Sequence, residues 1–113
     1  MRRGDIYWHL YEKTKNGSVE QGHRPVVIVS SDAGNETSSC VLVCPLTTAR
    51  KHLSCNVDVA WHTPAARGSQ VLCNHIMSVS KESLHSNLGR LSDDELERVD
   101  LALAISLGLA VNR

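Results

Sequence analysis

Apolar positions recur along this 113-residue chain with three different spacings. From Gly4 to Leu10 they alternate, with Ile6, Trp8 and Leu10 on one side and Tyr7 on the other. That is the period of a strand with one buried face. Val26-Val27-Ile28-Val29 is an unbroken apolar run after Arg24-Pro25, suited to a strand buried on both faces. Val41 to Leu46 is a second such run, in which Pro45 marks a strand edge or bulge. Cys55, Val57, Val59 and Trp61 alternate with Asn56 and Asp58, as in a half-exposed antiparallel strand. Gln70 to Val79 reads as one further strand, Lys81 to Leu84 as a helical turn, and Leu88 to Leu91 as a last short strand. The intervening stretches are polar. Tyr11 to His23, containing Asn16-Gly17 and Gly22, reads as a connection of a length more often functional than idle. Ser31-Asp32-Ala33-Gly34-Asn35 is a turn signal, and Thr47 to Ser54 and His62 to Ser69 read as loops.

The third spacing is helical. Leu96, Val99, Leu103 and Leu107 predict a C-terminal helix with one face on the sheet. Ser92 with Glu95 three residues on forms a capping box, and Leu91 and Leu96 stand at the positions of a hydrophobic staple. Gly108 supplies a left-handed stop. Short strands followed by one closing helix predict a mostly β (α+β) domain built on a small, strongly bent antiparallel sheet or partial barrel.

Length fits a single domain over residues 1–113, with no repeat, linker or low-complexity tract. No apolar stretch approaches the roughly 20 residues of a membrane span, and the charged N-terminus has no apolar run of a secretory signal behind it. Formal net charge is zero, not the usual footprint of a nucleic-acid binder. The balance is uneven, however. Asp93, Asp94, Glu95, Glu97 and Asp100 crowd the start of the C-terminal helix, where its dipole favours them, and the rest of the chain is net positive. Cys40, Cys44, Cys55 and Cys73 form no C-x-x-C pair. They read as small buried hydrophobes in a reducing compartment, with no metal site expected.

Five segments in register resemble the MazF/PemK toxins of bacterial toxin–antitoxin pairs. They are Arg3-Gly4-Asp5-Ile6-Tyr7, Gly22 to Val29, Asp32-Ala33-Gly34-Asn35, Val43-Cys44-Pro45-Leu46-Thr47, and Val99 to Leu109. The resemblance implies an SH3-like bent barrel closed by the helix, acting as a cytoplasmic homodimer. It implies a sequence-specific endoribonuclease on single-stranded RNA that uses no metal or other cofactor. The 2′-hydroxyl attacks the neighbouring phosphate, leaving a 2′,3′-cyclic phosphate or 3′-phosphate and a 5′-hydroxyl. The implied protein partner is an antitoxin whose disordered tail folds over the RNA groove, with DNA reached only through that antitoxin.

Residue by residue, Arg24 matches the family's catalytic arginine and Thr47 its catalytic threonine. A guanidinium fork meets two phosphate oxygens at once, and a hydroxyl donates to a third. Arginine is effectively always protonated, so proton transfer falls to another group or to water; Glu20, His23 and His75 are the candidate side chains. Ser18 and Gln21 match the loop bordering the RNA groove, and Thr48 adjoins the same phosphate. Arg50 and Lys51 attract phosphates without reading sequence. Two positions depart from the family. His75 stands where glutamine is commoner and Met77 where arginine is commoner, so the cleavage motif is expected to differ from that of better-known relatives. Two other readings stay open: a toxin of the same fold that grips a protein such as gyrase, and a non-catalytic SH3-like binding module.

Overall fold

A computed structural model describes residues 1–15, 18–48, 55–61 and 68–109. In chain order the elements are β1 (Asp5–Lys15), β2 (Ser18–Ile28), α1 (Asp32–Thr37), β3 (Cys40–Thr47), β4 (Asn56–Val59), β5 (Ser69–Leu72), β6 (Met77–Ser80), a 3-10 turn (Lys81–Ser83), β7 (Leu84–Arg90) and α2 (Asp93–Ser106). The described strands pair antiparallel in the order β4-β5-β3-β2-β1-β7, with β6 on β3. No described helix is long and apolar enough to cross a membrane.

The largest departure from the pattern-based expectation is the hairpin. Tyr11 to His23 is not a loop: β1 runs on to Lys15 and β2 begins at Ser18, with Lys15 paired to Ser18 and His9 to Arg24. The apolar period of the sequence fades past Leu10 while the backbone pairing persists. Gln70 to Val79 is likewise two strands rather than one, parted where the His75 N–H donates to the Leu72 carbonyl (3.1 Å). The break answers a feature of β3. Its outer edge pairs with β6 from Cys40 to Val43 and with β5 at Leu46 and Thr47. Pro45, which has no N–H for a ladder, stands at the exchange, fully buried. The 31–35 turn signal becomes α1, begun by the Ser31 hydroxyl accepting from the Gly34 N–H.

Two apolar clusters lie on either side of β2. Ile6, Val27, Cys44, Leu46, Val71 and Val99 belong to the one beneath α2; Val26, Ile28, Val41, Val43, Val79 and Leu84 form the other, with Tyr7 and Met77 against it. Val26, Val27 and Ile28 are wholly buried, as their unbroken apolar run requires. Buried Cys44 and Cys73 meet in the first cluster, where their mutual hydrogen bond and then burial push the Cys73 thiol up; Cys40, in contrast, is exposed. In α2 the buried positions are Glu95, Val99, Ala102 and Leu103. Leu107 is not among them: it is the C-cap, 59% exposed, already past the sheet. Gly108 (φ +69°) ends the helix as expected, with the Leu109 N–H on the Ala104 carbonyl and the Gly108 N–H on that of Ile105.

The sheet is a partly open barrel, its β4 and β7 edges unpaired with each other. Register shifts between β1 and β7 bend it, with Ser86 at positive φ in the bulged strand. The gap is spanned by side chains. The Trp61 indole N–H, just past β4, donates to the Leu88 carbonyl on β7 (3.0 Å), and Arg98 of α2 donates to the Asp58 carbonyl (3.0 Å). Trp61→Phe keeps most of the apolar contact and removes the first of these bonds. It is expected to lower unfolding stability by about 1 kcal/mol in a urea titration.

Candidate active site

Several of the recurring segments turn out to be scaffold. Gly4 donates to the Ile28 carbonyl (2.7 Å), and its φ of +95° is one that side chains rarely adopt. The Arg3 backbone N–H donates to Asp32 (2.7 Å), while its side chain reaches the Val29 carbonyl (2.8 Å) and pairs with Asp100 of α2 (2.5 Å). Asp5 accepts from the Arg2 N–H (2.9 Å) and pairs with Arg90. Buried Asn35 accepts from the Ser30 hydroxyl and donates to the Ser30 carbonyl (3.0 Å). These contacts lock the start of β1, the end of β2, α1 and α2 into one corner. Arg24 and Thr47 lie outside that corner.

Alternation along the hairpin sets which side chains meet. Ile6, Trp8 and Leu10 share a face with Val27, Pro25 and His23. Tyr7, His9 and Tyr11 share the other with Val26, Arg24 and Gly22. The β2–β3 ladder ends at Val26–Pro45, and Arg24 and Thr47 each stand two residues beyond that last pair on neighbouring strands. Thr47 in turn pairs with Gln70 of β5, and Gln70 with Asp58 of β4. Polar residues thus pair in two sets: His9 with Arg24 across β1 and β2, and Thr47 with Gln70 and Gln70 with Asp58 across β3, β5 and β4. Gln70 is buried and donates to the Asp58 carboxylate (2.9 Å) while accepting from the Asn56 amide (3.3 Å). Arg24 and Thr47 are both half-buried.

The remaining candidates distribute unevenly. His23 does not share the Arg24 face. Its ring lies edge-on to Trp8 and to His85, each with centroids 6.4 Å away. It therefore does not stand beside the Arg24 side chain: successive residues of a strand point to opposite faces. His75 is exposed at the corner where β3 changes partners, and Met77 packs on the second apolar cluster beside it. Thr48 is exposed immediately after β3. Ser18, Glu20 and Gln21 enter only through backbone pairing with Lys15, Lys13 and Glu12; their side chains, like Arg50 and Lys51, lie outside the described part of the molecule.

Sequence reasoning missed four residues of these ladders: His9, Tyr11, Gly22 and Gln70. The Tyr11 ring lies over Gly22, where an added Cβ would come within 2.7 Å of it, and sits 6.1 Å from the His9 ring. Asn16-Gly17 was the available signal. Read as a two-residue hairpin connection, it sets the register that brings His9 opposite Arg24.

Comparison with known proteins gives this arrangement a class. A solved mycobacterial endoribonuclease in complex with its cognate antitoxin superposes with a TM-score of 0.79 at 27% identity, covering 99% of each chain. A MazE–MazF complex from Deinococcus radiodurans shares the fold (TM-score 0.79, 24% identity, 97% of each chain). The endoribonuclease MazF of Staphylococcus saprophyticus is 34% identical over 112 residues, 96% of this chain and 92% of its own. The fold is thus that of small β-rich endoribonuclease toxins. Residues 2–107 match the PemK-like, MazF-like toxins of type II toxin–antitoxin systems, and the chain belongs to that family.

Proposed function

We propose that this toxin cuts single-stranded messenger RNA at specific sequences, without a metal ion, and so arrests translation and growth. The observation that carries the reading is that Arg24 and Thr47, both half-buried, each stand two residues beyond the last β2–β3 pair on neighbouring strands. Attack of a ribose 2′-hydroxyl on the adjacent phosphate builds negative charge on the non-bridging oxygens. The Arg24 fork meets that charge, and the Thr47 hydroxyl donates beside it, in a setting drier than bulk water. The bond from O2′ to phosphorus forms as the bond from phosphorus to O5′ breaks, leaving a 2′,3′-cyclic phosphate and a 5′-hydroxyl. Gln70, the ladder partner of Thr47, is fixed beside it by Asp58 and Asn56.

The protein works in the cytoplasm as a homodimer. It is silenced by an antitoxin whose disordered tail lies over the RNA face, and it meets DNA only through that antitoxin. Incubation with a long single-stranded RNA in EDTA is expected to give discrete cuts, and a deoxyribose at a mapped cut is expected to block that cut alone. Intact RNA under these conditions would refute the nuclease reading and favour the protein-gripping alternative.

A further inference from the structure

Arg24 and Thr47 supply charge and a hydroxyl donor, but neither removes the proton of the attacking 2′-hydroxyl. We propose that His9 is the general base of the cleavage reaction, a role that rests on Arg24 holding the scissile phosphate. His9 is the direct cross-strand partner of Arg24, on the same face. Directly opposed side chains in an antiparallel pair have Cβ atoms about 5 Å apart, so imidazole and guanidinium reach the same phosphodiester.

Two observations mark His9 as more than a strand residue. Among the described residues, its Nδ1 is the buried side-chain nitrogen or oxygen that lacks a hydrogen-bond partner. Folded proteins rarely leave such a group unpaired, and a catalytic role is one of the reasons they do. The ring is also kept in the form a base needs. Burial first, and then the neighbouring Arg24 charge, lower its pKa from the ordinary 6.5, so at neutral pH the imidazole carries a lone pair.

The groups facing it are few. On β2 there is Arg24; on β1, Tyr7 and Tyr11; on β7 its partner is the apolar Leu84; and the 3-10 turn that follows β6 carries Lys81 and Glu82. His85, next to Leu84, is paired with Trp8 and its ring lies on the His23 side.

The step balances. Neutral His9 takes the 2′-hydroxyl proton as the bond from O2′ to phosphorus forms. The departing O5′ takes a proton from water, and the hydroxide left behind discharges the imidazolium. The phosphate that arrives between Arg24 and His9 offsets the guanidinium charge, so the imidazolium forms more readily in the complex than in the free protein. The acid limb of kcat is therefore expected at higher pH than that of kcat/KM, because the latter reports the free enzyme.

The test uses the full-length protein and an oligonucleotide spanning a cut mapped in a long transcript. His9→Gln retains a polar amide and cannot carry the proton. It is expected to cleave about 10²–10⁴-fold more slowly, to lose the acid limb, and to bind the oligonucleotide with deoxyribose at the cut within about threefold of the parent. Cleavage by a folded His9→Gln within threefold of the parent, with the limb unchanged, would overturn the proposal. If Arg24→Ala is inactive in the same assay, that result removes His9 and leaves the Arg24 reading intact; an active Arg24→Ala removes both. An NMR titration of His9 in the unmodified protein needs no variant to fold. Its midpoint is expected to rise when the deoxy-substituted oligonucleotide binds, and an unmoved midpoint counts against the role.

Discussion

Arg24→Ala is expected to lower the rate of RNA cleavage by about 10²–10³-fold, the usual cost of removing one preorganised donor from a transition-state charge. The loss should fall mainly on kcat. An arginine that merely tethered RNA would raise KM and spare kcat, so single-turnover rates at saturating RNA distinguish the two. Arg24→Lys keeps the charge but replaces a planar fork with a point cation, and is expected to recover only a small part of the rate. The melting temperature should hardly move, because the wholly buried run of β2 begins at Val26, two residues further on. The same substitution takes a cation away from His9, whose titration midpoint should then rise toward its ordinary value.

Glu95→Ala is expected to cost about 2–4 kcal/mol of folding free energy. One carboxylate oxygen accepts from the Ser92 N–H (2.9 Å) and the other from the Ala60 N–H (2.6 Å). The capping box thus also fastens α2 to the end of β4. Alanine leaves two partly buried backbone donors unpaired, and each carries a penalty of about 1–2 kcal/mol. For a domain of this size the melting temperature should fall by about 10 °C or more. The pH dependence follows from the same bonds. Burial by itself would raise the Glu95 carboxyl, but the Ser92 and Ala60 donors, with Arg98 nearby, hold it below its ordinary 4.5. A carboxyl depressed by folding stabilises fully above its unfolded value, and that contribution is lost as pH falls through the folded one. The parent should therefore lose this increment below about pH 4.5, whereas Glu95→Ala should show a flatter acid limb in denaturant titrations.

The parts of this molecule legible in the sequence are those where one residue type permits one local structure. The α2 capping box, the Gly108 stop, the doubly buried Val26-Val27-Ile28 run and the alternation of Val57 and Val59 all stand as their patterns predicted. What escaped depends on pairing between distant segments. The outer hairpin carries no apolar period, so only its partner strand reveals it as a strand. The break after Leu72 reflects β3 changing neighbours at Pro45, a fact about three strands at once. Leu107 kept its spacing but not its burial, because helical period says nothing of where the sheet beneath ends. The candidate site divides the same way. Arg24 and Thr47 are candidates through family register, whereas His9 and Gln70 become visible only as their ladder partners. His23 stands apart from Arg24 for a simple reason: adjacent residues of a strand face apart.

The sheathing of β2 on both sides has a consequence for how damage elsewhere would register. Amide protons of Val26 to Ile28 have no local route to water and should exchange with solvent deuterium only when the whole domain opens. Arg24 stands just outside that slow-exchanging block. Substitutions in either apolar cluster should therefore thin the population of intact molecules while leaving each surviving molecule as fast as before. Toxicity in a cell would then track abundance, in proportion to folded fraction, rather than the turnover of the individual enzyme.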